Sequence, residues 1–297
     1  GEYFATMCLT EAHCGTDLGL IRTKAVPENE AFRVSGQKIF ITAGEHDLSD
    51  NIIHLVLAKL PDAPPGAKGI SLFLIPKILV NDDGSLGDRN GVNCVSIEEK
   101  MGVHGSPTCV LSFEESLGYL VGEPHKGLEA MFSMMNNERI AVGMQGLGVA
   151  EISYQNALLY AKDRLQGRDL KGAKKPSEEA DPLLVHPDIR RMLLRAKALI
   201  DSSRMLSAWT ALAIDKSVKD PDEKVRKANN DLVELMTPII KSILTDYGVE
   251  ISSEMLQIFG GHGYIREYGM EQFYRDARIA PIWEGTNGIQ AMDLAGR

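Results

Sequence analysis

Near the C-terminal end the run PIWEGTNGIQ, Pro281 to Gln290, sets one carboxylate, Glu284, between a tryptophan and a glycine. Burial against an aromatic ring raises a carboxyl pKa towards neutrality, which suits a base that takes a proton from a substrate. Trp283 can supply that apolar wall, and Gly285 lets a substrate chain come close to the backbone. The same run also reads more plainly. Acids favour helix N-termini, and Thr286 is a good N-cap for a helix that starts just after it.

The other residues with chemical potential exclude more than they suggest. Cys8, Cys14, Cys94 and Cys109 are scattered. None has CxxC spacing, so neither a zinc site nor a thioredoxin-like pair is expected, and reduced thiols in a cytoplasmic protein fit better. His13 beside Cys14 offers two metal ligands, but such a neighbouring pair is a weak signal, and no metal is expected. There is no GxGxxG after a strand, no Walker motif and no GxSxG, which argues against a Rossmann domain or a phosphate-binding loop.

The elements that must hold such residues fall into two halves. Over residues 1–120 short segments rich in Val, Ile, Phe and Thr follow one another: EYFATMCLT, AFRVSGQKIFIT, NIIHLVLAKL, GISLFLIPKILV, CVSIEEKMG and TCVLSFEE. Turn-forming runs such as PDAPPGAKG and NDDGSLGDRNG separate them. No helical period intervenes, so an antiparallel barrel or sandwich is expected. Over residues 121–297 the period becomes helical, with long segments near 125–165, 186–217 and 223–259 and a fourth after Gly285. Pro187 suits a first turn, and Pro238 is expected to kink the third helix. Short joins between long helices predict an antiparallel four-helix bundle, and the charged run QGRDLKGAKKPSEEADPLL reads as a surface insertion. The fold class is α+β, barrel then bundle.

The chain has 297 residues, 44% apolar and 25% charged, with 32 basic against 41 acidic side chains and a formal charge of −9. An excess of acid gives no attraction for nucleic acid or anionic membrane. No apolar run nears the roughly 20 residues that span a bilayer, and there is no signal-peptide pattern. The chain opens at Gly1 without a methionine and enters a strand almost at once, as the trimmed part of a longer protein would.

Taken in order, MCLTEAHCGTD, GQKIFITAG, MNNERIAVG, LQIFGGHGYIREYGMEQFYRDARI and PIWEGTNGIQ resemble the acyl-CoA dehydrogenase family of flavoproteins, over nearly the whole chain. The wording AHCGTDLGL and the charged insertion are most similar to its larger bacterial branch, which includes long-chain and methylthiopropanoyl-CoA dehydrogenases. The resemblance implies a preceding N-terminal helical domain that this stretch does not contain. It implies FAD and an acyl-CoA thioester, oxidised to the trans-2-enoyl-CoA by α-proton removal and β-hydride transfer to the flavin. Glu284 is then the base. Glu138 is its rival, because some family branches carry the base one residue before the arginine of a motif like NNER. Its plainer fate is a surface ion pair.

The same resemblance places Met7, Leu9, Thr10, Phe40, Ile41 and Thr42 along the flavin ring, and Gly15 and Thr16 at the pyrophosphate, with Thr16 also facing CoA. Arg164, Gln257, Gly260, Gly261, Thr286 and Gly288 fall at the flavin adenosine and pyrophosphate, partly across a subunit boundary, so a homodimer or homotetramer is implied. Asn136, Arg139 and Gly285 fall to the substrate. Arg139 could equally serve a bundle salt bridge. Many relatives carry Trp at the Phe40 position and Asp at the Asn136 position. Electron-transfer flavoprotein is the implied electron acceptor. Alternatives are an acyl-CoA oxidase that passes electrons to oxygen, or a non-catalytic assembly subunit that keeps the fold.

Overall fold

The β-branched and aromatic segments of the N-terminal half pleat into nine strands in a computed structural model that describes residues 2–296. They are β1 (Tyr3–Cys8), β2 (Lys24–Glu28), β3 (Ala31–Thr42), β4 (Asn51–Lys59), β5 (Ile70–Pro76), β6 (Ile78–Val80), β7 (Leu86–Arg89), β8 (Val92–Ile97) and β9 (Thr108–Val121). β2 pairs with β3, β3 with β9, β9 with β5 and β5 with β4, all antiparallel. A single parallel bridge, Lys24 opposite Lys59, joins β4 back to β2 and closes the ring. Closure removes the open edges that a flat sheet would expose. Val34, Val56, Phe73, Ile75, Leu111 and Phe113 fill the interior.

The sheet is mixed rather than wholly antiparallel. β1 runs parallel to β4, from Tyr3 opposite Asn51 to Cys8 opposite Val56. Parallel neighbours need a long crossover. Here the β2–β3 hairpin serves as that crossover, so no helix was needed to signal it. β6, the end of the GISLFLIPKILV segment, forms a separate hairpin with β7, which lies in the run expected to be loop.

The C-terminal half holds six helices among the described residues instead of four. α1 (Gly127–Asp163), α2 (Pro187–Lys219) and α3 (Glu223–Ile258) are the long ones. α4 (Gly261–Tyr264) and α5 (Met270–Ala277) are too short for periodicity to reveal, and α6 (Asn287–Gly296) follows Gly285 as expected. Pro187 lies in the first turn of α2. α3 runs on through Pro238, which is itself buried, as one continuous element. Leu147, Ile200, Ile240, Leu244, Ile251 and Met255 form the bundle core. Among the described residues no helix is long and apolar enough to cross a membrane.

Two compact units result, Gly1–Met135 and Asn136–Arg297, with the boundary inside α1. The charged insertion between α1 and α2 is mostly exposed but not loose. Asp181 is fully buried and accepts from the backbone N–H groups of Asp169, Lys174 and Lys175 at 3.0, 2.9 and 2.7 Å. Burial alone would raise its pKa, but these bonds and Arg168 outweigh it and bring the group to about 2.

Candidate active site

In the helical unit three elements converge on Glu284. α1 brings Asn136, Glu138 and Arg139, α3 brings Lys241 and Asp246, and α6 brings Asn287, Gln290 and Asp293. The loop between α5 and α6 turns through two consecutive left-handed residues, Glu284 at φ 52° and Gly285 at φ 84°. Such a conformation costs a non-glycine residue about 1–3 kcal/mol and persists only where the surroundings impose it. The surroundings are visible. The Asn287 N–H donates to the Pro281 carbonyl at 3.0 Å, and Gln290 Nε2 donates to the Gly285 carbonyl at 3.1 Å.

Thr286 Oγ1 accepts from the Ile289 N–H at 3.3 Å, so Thr286 caps α6 as its sequence position suggests. Glu284 lies two residues before that cap, outside the first turn. Its carboxylate accepts no hydrogen bond from any described residue and is half-buried. Burial raises the Glu284 pKa, the neighbouring Glu138 carboxylate raises it further, and Arg139 and Lys241 pull it back. A carboxyl group so placed is free to bind a proton from a ligand.

The two candidate bases therefore sit close enough to feel each other, in different settings. Glu138 is exposed and has no cation within ion-pair distance among the described residues. Arg139 is buried, donating to Asp293 Oδ2 at 2.9 Å and to Asn136 Oδ1 at 3.3 Å. The ion pair with Asp293 is the bundle salt bridge that the sequence left open. Gly285 is small for a reason: a Cβ there would lie 2.7 Å from Gln290 Nε2 and 3.5 Å from Arg139 Nη2.

Five members of this constellation were missed from sequence: Lys241, Asp246, Asn287, Gln290 and Asp293. Lys241 is 0% exposed, and its Nζ donates to Asn287 Oδ1 at 2.9 Å. Burial lowers its pKa to about 8, with Arg139 lowering it and Asp246 and Glu284 raising it. The available signal was a lysine in PIIKSIL, on the face where Ile240 and Leu244 demand an apolar residue. Asn287 and Gln290, both inside the quoted motif, were passed over as helix residues.

In the β unit the residues expected along a flavin lie on two neighbouring segments. The Ile39 N–H donates to the Thr10 carbonyl at 2.9 Å, which ties the segment after β1 to β3. The register of β3 against β9 shifts between Lys38 and Ile41. At this bulge Phe40 adopts φ 61° and turns its ring outward, 59% exposed. Ile41 points the other way into the barrel core at 2% exposure, so only its backbone can face a ligand. Met7, Leu9 and Thr10 are half-buried, and Gly15, Thr16 and Thr42 are exposed.

Behind this strip Glu11 is a buried hub. It accepts from Arg22 N at 2.7 Å, Thr23 N at 3.0 Å, Thr23 Oγ1 at 2.6 Å and Lys38 Nζ at 2.9 Å. Burial would raise its pKa, yet Lys38 and these bonds take it to about 2. Glu11, His13 and Cys14 place possible metal ligands within 4.8 Å of one another. The donor set is already spent: Lys38 occupies the Glu11 carboxylate, His13 Nε2–H donates to the Leu20 carbonyl at 3.0 Å, and burial pushes the Cys14 thiol up, away from thiolate.

The GGHG run follows α3. Gln257, Gly260 and Gly261 are exposed, and Gly260 has φ 59°. His262 stacks on Tyr268 at 4.5 Å and its Nδ1 lies 2.8 Å from the Tyr160 hydroxyl. Arg164 is exposed and donates to Gln166 Oε1 at 3.4 Å. Gly288 is exposed in the first turn of α6.

Comparison with known proteins settles the family. The profile of the acyl-CoA dehydrogenase middle domain matches residues 6–116, and that of the acyl-CoA dehydrogenase C-terminal domain matches residues 125–297. This chain belongs to the acyl-CoA dehydrogenase family. It is 49% identical to the 3-methylmercaptopropionyl-CoA dehydrogenase of Ruegeria pomeroyi, over all of this chain and 50% of that protein. It is 40% identical to a butyryl-CoA dehydrogenase of Syntrophomonas wolfei, again over all of this chain and 50% of the relative. Among solved structures, butyryl-CoA dehydrogenase from Megasphaera elsdenii superposes with a TM-score of 0.77 at 29% identity, over 98% of this chain and 67% of that one. The chain thus spans about half the length of the curated relatives named here.

Acyl-CoA dehydrogenases are FAD-dependent flavoproteins. The residues present in this family member fit such a group. A flavin has an apolar ring with a polar rim, and the strip offers the outward ring of Phe40, the side chains of Met7 and Leu9, and the hydroxyls of Thr10, Thr16 and Thr42. None of these hydroxyls bonds a described residue.

Proposed function

We propose that this chain supplies the middle and C-terminal parts of an FAD-dependent acyl-CoA dehydrogenase, in which Glu284 removes the α-proton of an acyl-CoA thioester. The observation that carries the reading is the free, half-buried carboxyl of Glu284, its pKa raised by burial and by Glu138, in a chain of this family. Bound FAD supplies the acceptor for the β-hydride. Every other part of the step belongs to the protein. The loop from Pro281 to Asn287 aims the carboxylate, Gly285 leaves room beside it, and Arg139 and Lys241 keep it ionised until a substrate proton is offered. The α-proton is a weak acid, so a base of raised pKa captures it more readily than an ordinary surface glutamate would.

The rest of the reading follows the family. Met7, Leu9, Thr10, Phe40, Thr42 and the backbone of Ile41 hold the flavin ring; Gly15, Thr16, Arg164, Gln257, Gly260, Gly261, Thr286 and Gly288 hold its phosphates and adenosine; Asn136 and Gly285 border the substrate. Electron-transfer flavoprotein is the proposed electron acceptor, a homodimer or homotetramer the proposed assembly, and the cytoplasm the proposed location. The branch suggests short or thioether acyl groups, after the relatives named above.

The deciding experiment uses the full-length, flavin-loaded protein. Glu284→Gln is expected to lower kcat by at least about a thousandfold while FAD absorbance and acyl-CoA binding persist. Turnover within tenfold of native would move the base to Glu138, and Glu138→Gln would then show the loss. Anaerobic bleaching with butyryl-CoA, 3-methylmercaptopropionyl-CoA and longer thioesters assigns the substrate.

A further inference from the structure

Lys241 occupies a position that the α3 repeat reserves for an apolar side chain, between the core residues Ile240 and Leu244. Its ammonium is fully buried, yet no carboxylate lies within ion-pair distance of it among the described residues. Its hydrogen bond goes to a neutral group, Asn287 Oδ1, at 2.9 Å. Asn287 is the pivot of the loop that carries Glu284. Its backbone N–H closes that loop on Pro281, and its Nδ2 donates to Asp246 Oδ1 at 2.8 Å, Thr245 Oγ1 at 3.1 Å and Ser242 O at 3.3 Å.

A neutral donor could hold Asn287 as well as lysine does, so a buried charge needs a further reason. The charged groups that act on Lys241 are Asp246 from α3, Arg139 from α1 and Glu284 from the loop. Arg139 already spends its charge on Asp293 at 2.9 Å, and Asp246 already receives the Asn287 N–H. Glu284, which accepts no hydrogen bond, is the group left to use the ammonium.

We propose that Lys241 is a positioning residue for Glu284: it fixes the loop through Asn287, and its ammonium holds the Glu284 carboxylate in the ionised, proton-accepting form. Burial and the Glu138 charge both favour the protonated, inactive form, and Arg139 and then Lys241 oppose them. Near neutral pH the lysine remains charged, since its own titration falls at about pH 8. This inference rests on Glu284 as the base.

The test uses full-length, flavin-loaded protein. Lys241→Gln keeps a donor for Asn287 and removes the charge, whereas Lys241→Arg keeps the charge. In the glutamine variant the acid limb of kcat/KM is expected to move up by about one pH unit, a loss of about tenfold on that limb. Above pH 8 the native and glutamine profiles converge, and the arginine variant keeps its limb near the native position. The protonated-carboxyl infrared band of Glu284, identified by difference against Glu284→Gln, is expected to titrate upward by the same amount, independent of turnover. An unmoved limb and an unmoved band in Lys241→Gln overturn the proposal. A fully active Glu284→Gln instead removes the base assignment, and the band then still decides whether Lys241 governs that carboxyl.

Discussion

Glu284 sits on an uncomfortable backbone, at φ 52°, and the neighbours that impose that backbone decide what substitutions will do. Gly285→Ala puts a Cβ 2.7 Å from Gln290 Nε2 at φ 84°. The strain of about 1–2 kcal/mol falls on the loop rather than the bundle. The variant is expected to keep its melting temperature within a few degrees and its flavin, but to lose kcat, as steady-state kinetics with flavin absorbance will show. Lys241 makes the opposite trade. Its pKa falls from 10.5 to about 8 on folding, so the folded state disfavours its charge. Below pH 8 this costs about 3 kcal/mol, and the penalty fades as pH rises from 8 to 10.5. Lys241→Met should therefore melt higher than native at pH 7, with the gain shrinking towards pH 10, while its activity falls. At this scale the sequence disclosed the WEGTN motif and the rivalry of two acids. It could not disclose that Glu138 and Lys241, remote in the chain, act on the same carboxyl, because only helix packing brings them near.

The long elements owe their meeting to small residues. A Cβ on Gly146 of α1 would lie 2.3 Å from the Leu244 carbonyl of α3, and one on Gly248 would lie 2.9 Å from Gly146 Cα. These two helices touch backbone to backbone, and α1 carries Glu138 and Arg139 while α3 carries Lys241. Gly146→Leu must push them apart, at a cost of about 1–3 kcal/mol from overpacking. The expected outcome is a lower unfolding midpoint in denaturant together with a shifted acid limb, since the charges around Glu284 move with their helices. Periodicity located α1, α2, α3 and β3 well because each is long or cleanly patterned. β2 escaped notice because it is short, carries Pro27 and is mostly polar outward. α4 and α5 escaped for want of turns, and the parallel run of β1 on β4 because pairing direction leaves no trace in side-chain alternation.

Acid should act on the barrel unit in two separable windows. In the barrel His54 is fully buried, with Nδ1 2.8 Å from the Thr6 hydroxyl, and burial, aided by the Lys77 charge, lowers its pKa from 6.5 to about 4. Stability from keeping it neutral is complete above pH 6.5 and is lost as pH falls towards 4, about 3 kcal/mol in all. Glu11 follows at lower pH, between 4.5 and about 2. Melting followed by a barrel probe is expected to weaken from pH 6.5 downward, and His54→Leu should flatten that slope. Assembly belongs to this scale too. Leu194, Met205, Trp209 and Leu212 form one exposed apolar stripe on α2. Met205→Glu with Trp209→Glu is expected to yield smaller particles in light scattering and poorer flavin retention; unchanged mass would remove the stripe from the interface.

The pivot of the loop that carries Glu284 is an asparagine followed by Gly288, the neighbour that most exposes such an amide to slow hydrolysis. Conversion to aspartate would set a new anion 2.9 Å from the Lys241 ammonium. The cation would then be answered on the spot, and the glutamate above would lose its influence. An ageing preparation would fade in acid-side activity while still folded and yellow, with peptide mapping tracing the decline to one altered amide.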